Sequence, residues 1–166
     1  MHPLELFKYC PKCGSPHFEV NNEKSKRCAD CGFVYYFNSS AATVAFILND
    51  KNELLVCRRG KEPAKGTLDL SGGFIDMYET GEEGVAREVL EETGLKVEIL
   101  PGFRETCEYC PYGSIQKQVV FFAAKSGGEE VVIQRSEIDR FKWARYEDAC
   151  ELFKYDNDIR VLQKAK

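Results

Sequence analysis

Gly73-Phe74-Ile75-Asp76-Met77-Tyr78-Glu79-Thr80-Gly81-Glu82-Glu83-Gly84-Val85-Ala86-Arg87-Glu88-Val89-Leu90-Glu91-Glu92-Thr93-Gly94-Leu95 is the stretch on which the fold turns. Thr80 followed three residues later by Glu83 is a capping-box pattern, and Gly94 stands where a left-handed C-cap belongs. A helix is predicted between them, with Val85, Val89 and Leu90 as its buried stripe. Seven acidic side chains and one basic one lie between Asp76 and Glu92. Glu88, Glu91 and Glu92 fall at i, i+3 and i+4, within an arc of about 100° on one helix side. Like charges so spaced cost an isolated helix roughly 0.2–0.5 kcal/mol per pair, which a bound cation would offset. Carboxylate oxygens on one rigid face suit a hard divalent ion such as Mg2+ or Mn2+. On charge alone, a solvated acidic face is the simpler reading. Arg87 lies beside that face and can pin a carboxylate, with Glu79 in the preceding loop as the natural partner.

Outward from the helix, Ala42 to Leu48 alternates as a strand, Asn49 to Asn52 is a turn signal, and Glu53 to Cys57 reads as the returning strand. Residues 60–73 read as loop, with Pro63, Gly66 and Gly72 as breakers. Strands are predicted over 95–99, 103–109, 118–124 and 141–144. The Gly127-Gly128 pair predicts a hairpin into a further strand over 130–133, and Tyr146 to the end reads as mostly helical. One strong central helix among strands predicts an α/β (α+β) sandwich rather than a doubly wound sheet.

The chain has 166 residues, 23 basic and 27 acidic, for a net charge of −4. At roughly 150 residues per domain this allows one enzyme-sized domain and a small appendage. No apolar run approaches the ~20 residues of a membrane span, and Met1-His2-Pro3-Leu4-Glu5 is not a secretory signal. A mildly acidic chain is not built for bulk attraction to nucleic acid, so an anionic ligand needs a local site.

Four of the eight cysteines form two tight pairs, Cys10-Pro11-Lys12-Cys13-Gly14 and Cys28-Ala29-Asp30-Cys31-Gly32. Two thiolates three positions apart can share one tetrahedral ion, and the glycine lets backbone amides turn toward sulfur. Four thiolates leave no open position, so the site is structural. Zinc is the expected ion, with iron left open, and a reducing cytoplasm the expected location. A unit of ~30 residues has too little core to fold alone, so the metal supplies folding energy. The boundary is placed at a zinc ribbon over 1–37 and a second domain over 38–166. His17 is a lesser candidate for zinc contact, and Cys107 and Cys110 stand apart as a pair with no function.

The pattern Gly-x5-Glu-x7-Arg-Glu-U-x-Glu-Glu-x-Gly-U, with U aliphatic, is filled at every fixed position from Gly73 to Leu95 and resembles the signature of the Nudix hydrolases. That resemblance implies a Nudix-type α/β/α sandwich with a mixed sheet. It also implies metal-dependent cleavage of the phosphoanhydride in a nucleoside diphosphate linked to another moiety, such as NADH, ADP-ribose or a dinucleoside polyphosphate. Matched by position, Glu88, Glu91 and Glu92 would bind Mg2+ or Mn2+, with the Gly72 carbonyl as a further ligand. Glu79 and Arg87 would hold the loop against the helix. Glu88 is the first choice of general base and Glu137 the second.

The cysteine ribbon followed directly by such a domain is similar to the NADH pyrophosphatase branch, as are the loop 58–66 and the segment from Ser136 to Trp143. Two departures stand against that branch. Phe103 to Tyr112 does not carry its Ser-Gln-Pro-Trp-type stretch, and the large domain that precedes the ribbon there has no counterpart in this sequence. The segment from Lys117 onward is also similar to dinucleoside tetraphosphate hydrolases. Ser71 stands where a proline is common in the family. Arg58, Arg59 and Lys65 are candidates for substrate phosphates, and Tyr112, Tyr109 or Phe103 for stacking on a base; solvated surface and core packing are the plainer alternatives. Many relatives pair, which makes a homodimer a candidate assembly, and the sequence does not fix the oligomeric state. A reading of another class is a non-catalytic nucleotide sensor whose ribbon serves as an interaction module; the intact carboxylates favour the enzyme.

Overall fold

A computed structural model of the chain describes residues 4–37, 41–62, 64–109 and 117–165. The chain parts into two compact units, residues 1–39 and 40–166. In the first, β1 (Phe18–Asn22), β2 (Ser25–Cys28) and β3 (Val34–Tyr36) form an antiparallel sheet. Its core is small: Cys10, Phe18 and Cys28, with Cys31, Phe33 and Tyr35 packed against them. A cluster this size, half of it thiols, does not offset the ordering cost of its chain without a cross-link.

The second unit runs β4 (Ala41–Leu48), β5 (Leu54–Arg59), β6 (Leu68–Asp69), β7 (Ser71–Phe74), α1 (Gly81–Thr93), β8 (Val97–Tyr109), β9 (Lys117–Ser126), β10 (Ile138–Ala144), α2 (Tyr146–Leu152) and α3 (Asp156–Lys164). The sheet order is β10-β5-β4-β9-β8, with β6 paired to β5 and β7 to β4. β4 and β9 are parallel from Ala41↔Gln118 to Leu48↔Lys125, while the other pairs are antiparallel. The sheet is therefore mixed. Period-2 alternation divides each central strand between two cores. Ala42, Phe46, Leu54, Val56, Val119 and Phe121 meet Ala149, Phe153, Val161 and Leu162 of the C-terminal segment. Ala45, Ile47, Leu55, Val120 and Phe122 face the other way, onto Val85 and Val89 of α1. Two helical layers on one sheet make the expected α/β/α sandwich.

Helix α1 has the predicted ends. Thr80 accepts from the Glu83 N–H, Glu83 reaches back to the Thr80 N–H, and Gly94 caps the C-terminus at φ +71°. Its buried stripe differs from expectation, running through Gly84, Val85, Val89 and Thr93. Leu90 is 44% exposed, because it lies about 140° around the axis from Val85.

Three other expectations are corrected. Residues 60–73 are not all loop: Gly72 and Gly73 pair with Val44 and Thr43, as β7 lies along β4 beneath α1. Residues 97–109 are one strand with a register irregularity between Ile99 and Arg104, not two strands. No strand forms over 130–133. There the Val132 and Gln134 N–H groups donate to the Thr93 and Glu92 carbonyls, both at 2.8 Å, and so satisfy carbonyls that the end of α1 leaves open. Among the described residues no helix is long and apolar enough to cross a membrane.

Candidate active site and cysteine cluster

The acidic face of α1 lies against β7, and glycine sets how close the two come. Gly72 sits at φ +154°, and a Cβ there would fall within 3.0 Å of the Thr43 carbonyl and the Val44 backbone. A Cβ on Gly73 would overlap the carboxylate of Glu88. Two side-chain-free residues thus leave a cradle for the helix carboxylates.

Arg87 organises the loop side. Its Nε and Nη2 donate to the two oxygens of Glu79 at 2.7 and 3.0 Å, a bidentate pair. Nη2 also donates to the Phe74 carbonyl at 3.0 Å, and Nη1 to Glu88 Oε1 at 2.7 Å and Glu91 Oε2 at 3.4 Å. The Glu79 carboxylate, first, and then Glu88 raise the guanidinium's proton affinity further. Glu79 Oε2 also accepts from the Asp76 N–H at 2.9 Å, which closes the loop onto the helix.

Glu92 is held differently. Its Oε2 accepts from Ser71 Oγ at 2.6 Å and from the Gly72 N–H at 3.1 Å. Burial pushes its carboxyl up to about 7, opposed by these two donors and reinforced by Glu88 and Glu137. Glu137, at the turn before β10, pairs with Lys61. The buried Cys57 thiol beneath is pushed up to about 12, by desolvation and then by the charges of Glu92 and Asp69. The site is therefore both desolvated and negative.

Each of the four carboxylates commits one oxygen to a donor: Glu88 Oε1, Glu91 Oε2, Glu92 Oε2 and Glu137 Oε1. Among the described residues, none of their other oxygens takes a hydrogen bond. Four such oxygens are a donor set that fits a hard divalent cation. The three helix carboxylates do not close on one another: among the described residues, the four cysteines are the one group of three or more ligand side chains whose donor atoms lie within 4.8 Å of each other.

The phosphate candidates fare unevenly. Arg58 lies 3.5 Å from Asp139 and Arg59 3.6 Å from Asp69. As neighbours on β5 they leave opposite sheet faces and do not share one site. Lys65 is exposed in the loop. Besides Arg87, the acidic site holds the cation of Lys61, which the sequence does not mark: its partner is 76 residues away. Ser71 stands out in the sequence only as a departure from proline. Phe103 packs edge-on against Phe46, as a core residue does. Tyr112 and Cys110 lie outside the described residues, as does His2. Cys107 is buried, with Arg160 Nη2 3.5 Å from its sulfur.

In the first unit, Cys10 and Cys31 sulfurs are 3.7 Å apart and those of Cys13 and Cys28 3.6 Å apart. A tetrahedron with metal–sulfur bonds of about 2.3 Å has edges of about 3.8 Å, so the cluster fits one zinc-sized ion. Gly14 and Gly32, at φ +74° and +71°, close each knuckle by donating to the Cys10 and Cys28 carbonyls. Backbone N–H groups of Cys31 and then Asp30 favour the Cys28 thiolate and lower its pKa against opposing desolvation. His17 is not aimed at sulfur: its Nδ1 lies 3.1 Å from Asp30, which also accepts from Ser15 and so joins the two knuckles.

Comparison with known proteins shows the family and the fold. Residues 38–164 match the model of the NUDIX domain family. The chain is 30% identical over 147 residues to a protein named NAD-capped RNA hydrolase NudC from Haemophilus influenzae, covering 88% of this chain and 54% of that one. It spans about half the length of the curated relatives it matches. In fold it is similar to C. elegans Ap4A hydrolase in a binary complex, with TM-score 0.66 at 24% identity over 75% of this chain and 93% of that one. It is also similar to the MutT protein from Methanosarcina mazei Go1, with TM-score 0.60 at 26% identity over 75% and 90%.

Proposed function

The chain belongs to the NUDIX domain family, and from that premise we propose that it is a divalent-metal-dependent pyrophosphohydrolase of nucleoside diphosphates linked to a second moiety. The observation that carries this reading is the set of four carboxylates, each with one oxygen fixed by a donor and one uncommitted. Glu88, Glu91 and Glu92, with the Gly72 carbonyl, would hold Mg2+ or Mn2+. When bound, the ion neutralises diphosphate charge, polarises the P–O bonds and favours deprotonation of an attacking water.

The remaining work belongs to the chain. Arg87 and Glu79 fix the loop so that β7 and α1 keep their spacing. Lys61, beside Glu137, offers a cation to phosphate oxygens that the metal leaves unpaired. Glu88 accepts the water proton as the oxygen attacks phosphorus and the bridging P–O bond breaks; Glu137 is the second choice for that proton. The leaving phosphate departs with the electron pair of the broken bond.

Zinc in the four-cysteine cluster braces the ribbon of residues 1–37, and a reducing cytoplasm suits its thiolates. The substrate is a nucleotide with a phosphoanhydride linkage, such as NADH, ADP-ribose or a dinucleoside polyphosphate. Relatives named for NAD-capped RNA share the same linkage chemistry, for which a local site suffices and bulk positive charge is unnecessary. Self-association as a homodimer belongs to the same proposal and is read by light scattering.

The test is a nucleotide panel with Mg2+ or Mn2+ and mass-identified products, run beside Glu88→Gln and Glu92→Gln. Metal-dependent release of a mononucleotide is expected, with both substitutions lowering turnover at least a hundredfold while circular dichroism stays unchanged. Equal turnover in all three proteins rejects the site; tight nucleotide binding without product supports a sensor instead.

A further inference from the structure

We infer that Ser71 is a positioning residue that makes Glu92 a one-oxygen ligand, and so tunes the site toward a small octahedral cation and away from calcium. This rests on the metal site proposed above. Ser71 is 2% exposed and lies on β7, paired with Ala45. Its Oγ donates to Glu92 Oε2 at 2.6 Å, and the next residue's N–H donates to the same atom at 3.1 Å. A carboxylate oxygen has two lone-pair sites, and both on Oε2 are then taken.

These donors cannot drift. Ser71 and Gly72 are in the ladder with β4, and the backbone at Gly72 is pressed so closely on the Thr43 carbonyl that no side chain fits. Helix α1 meanwhile fixes Glu92 from the other side, where Val85 and Val89 are fully buried. Only Oε1 is left to a cation. Mg2+ needs near-octahedral ligands at about 2.0–2.1 Å, whereas Ca2+ takes six to eight at about 2.3–2.6 Å and readily uses both oxygens of a carboxylate. A clip on Oε2 leaves the first arrangement intact and removes the second. Glu88 and Glu91, whose committed oxygens are held by an arginine on their own helix, have no equivalent clip from the sheet among the described residues.

A serine that merely satisfied its own buried hydroxyl would change stability and nothing else. The discriminating readout is cation preference in the nucleotide-free protein: Mn2+ binding followed by electron paramagnetic resonance, with Ca2+ as competitor, for the parent, Ser71→Ala, Ser71→Thr and Glu92→Gln. Ser71→Ala frees one lone pair on Oε2, so Ca2+ should displace Mn2+ about tenfold more readily than from the parent, and Ser71→Thr should restore the parent ratio. An unchanged ratio in Ser71→Ala, with Mn2+ weakened in Glu92→Gln, overturns the inference and leaves the metal site standing. Equal Mn2+ binding by the parent and Glu92→Gln overturns the metal site itself. Should Ser71→Ala not fold, Ser71→Cys, with a similar shape and a weak donor, gives the same comparison.

Discussion

A single side chain, Arg87, joins the loop to the helix through two oxygens of Glu79, the Phe74 carbonyl and the carboxylate of Glu88. That fork needs a planar guanidinium, so charge alone does not replace it. Arg87→Lys is expected to lower turnover at least tenfold with the charge retained, and parent-like kinetics in that variant would remove Arg87 from the site. Glu92 makes a prediction of a different kind. Its carboxyl lies near 7 in the fold against an ordinary value of 4.5, so the folded protein binds more protons than the unfolded chain between those values. Its contribution to stability is full below about 4.5 and is lost as pH rises through 7. The loss is at most of the order of 3–4 kcal/mol, at about 1.4 kcal/mol per tenfold change in proton affinity. Asp158, also raised to about 7 by burial and by Asp69, adds to the trend. Thermal melts of the metal-free protein should therefore weaken from pH 5 to 8, and Glu92→Gln should remove part of that slope; an unchanged slope would mean that Glu92 is not desolvated. At this scale the glutamates were legible because their spacing is local. Lys61 was not, since its partner lies on a distant turn. Ser71 is visible in the sequence only as a departure from proline, because a lone serine carries no pattern.

Among the elements, α1 was the most readable, because a capping box and a left-handed glycine are chemical signals independent of tertiary context. Thr80→Ala should cost about 1 kcal/mol in denaturant unfolding, and no measurable cost would mean that the box contributes nothing to the helix. Strand β7 was unreadable for the opposite reason. Ser71-Gly72-Gly73-Phe74 has no β-branched residue, and its extended form comes from pairing with β4. Gly72→Ala tests that origin: with the Thr43 carbonyl in the way, it should cost several kcal/mol, more than the ~1 kcal/mol spread of ordinary strand preferences. The segment over 130–133 shows how pattern misleads. Val131 and Ile133 do alternate onto the core, as a strand's residues would, yet its amides serve the end of α1 instead of a neighbouring strand.

For the molecule as a whole, the two units have unequal means of support. Residues 40–166 own two apolar cores on either face of a sheet, whereas the core cluster described in residues 1–39 rests on three buried residues, Cys10, Phe18 and Cys28, two of them thiols. Stripping zinc with a chelator should unfold the first unit and leave the second folded; hydrogen exchange would show protection lost over β1 to β3 and retained over β4 and β9. Protection retained in β1 to β3 would show that the ribbon folds without metal. The layer order was legible because alternating strands and one amphipathic helix admit few sandwiches; the sheet's path was not, since the parallel pairing of β4 with β9 joins residues more than seventy positions apart. The central claim is that the carboxylates of α1, set against β7, gather a divalent ion for diphosphate cleavage. Its most direct test is anomalous diffraction from crystals soaked with Mn2+ and a non-hydrolysable nucleotide. A manganese peak at about 2.2 Å from Glu88 and Glu92 oxygens, touching the diphosphate, is predicted; a nucleotide bound with no manganese at those oxygens would contradict the account.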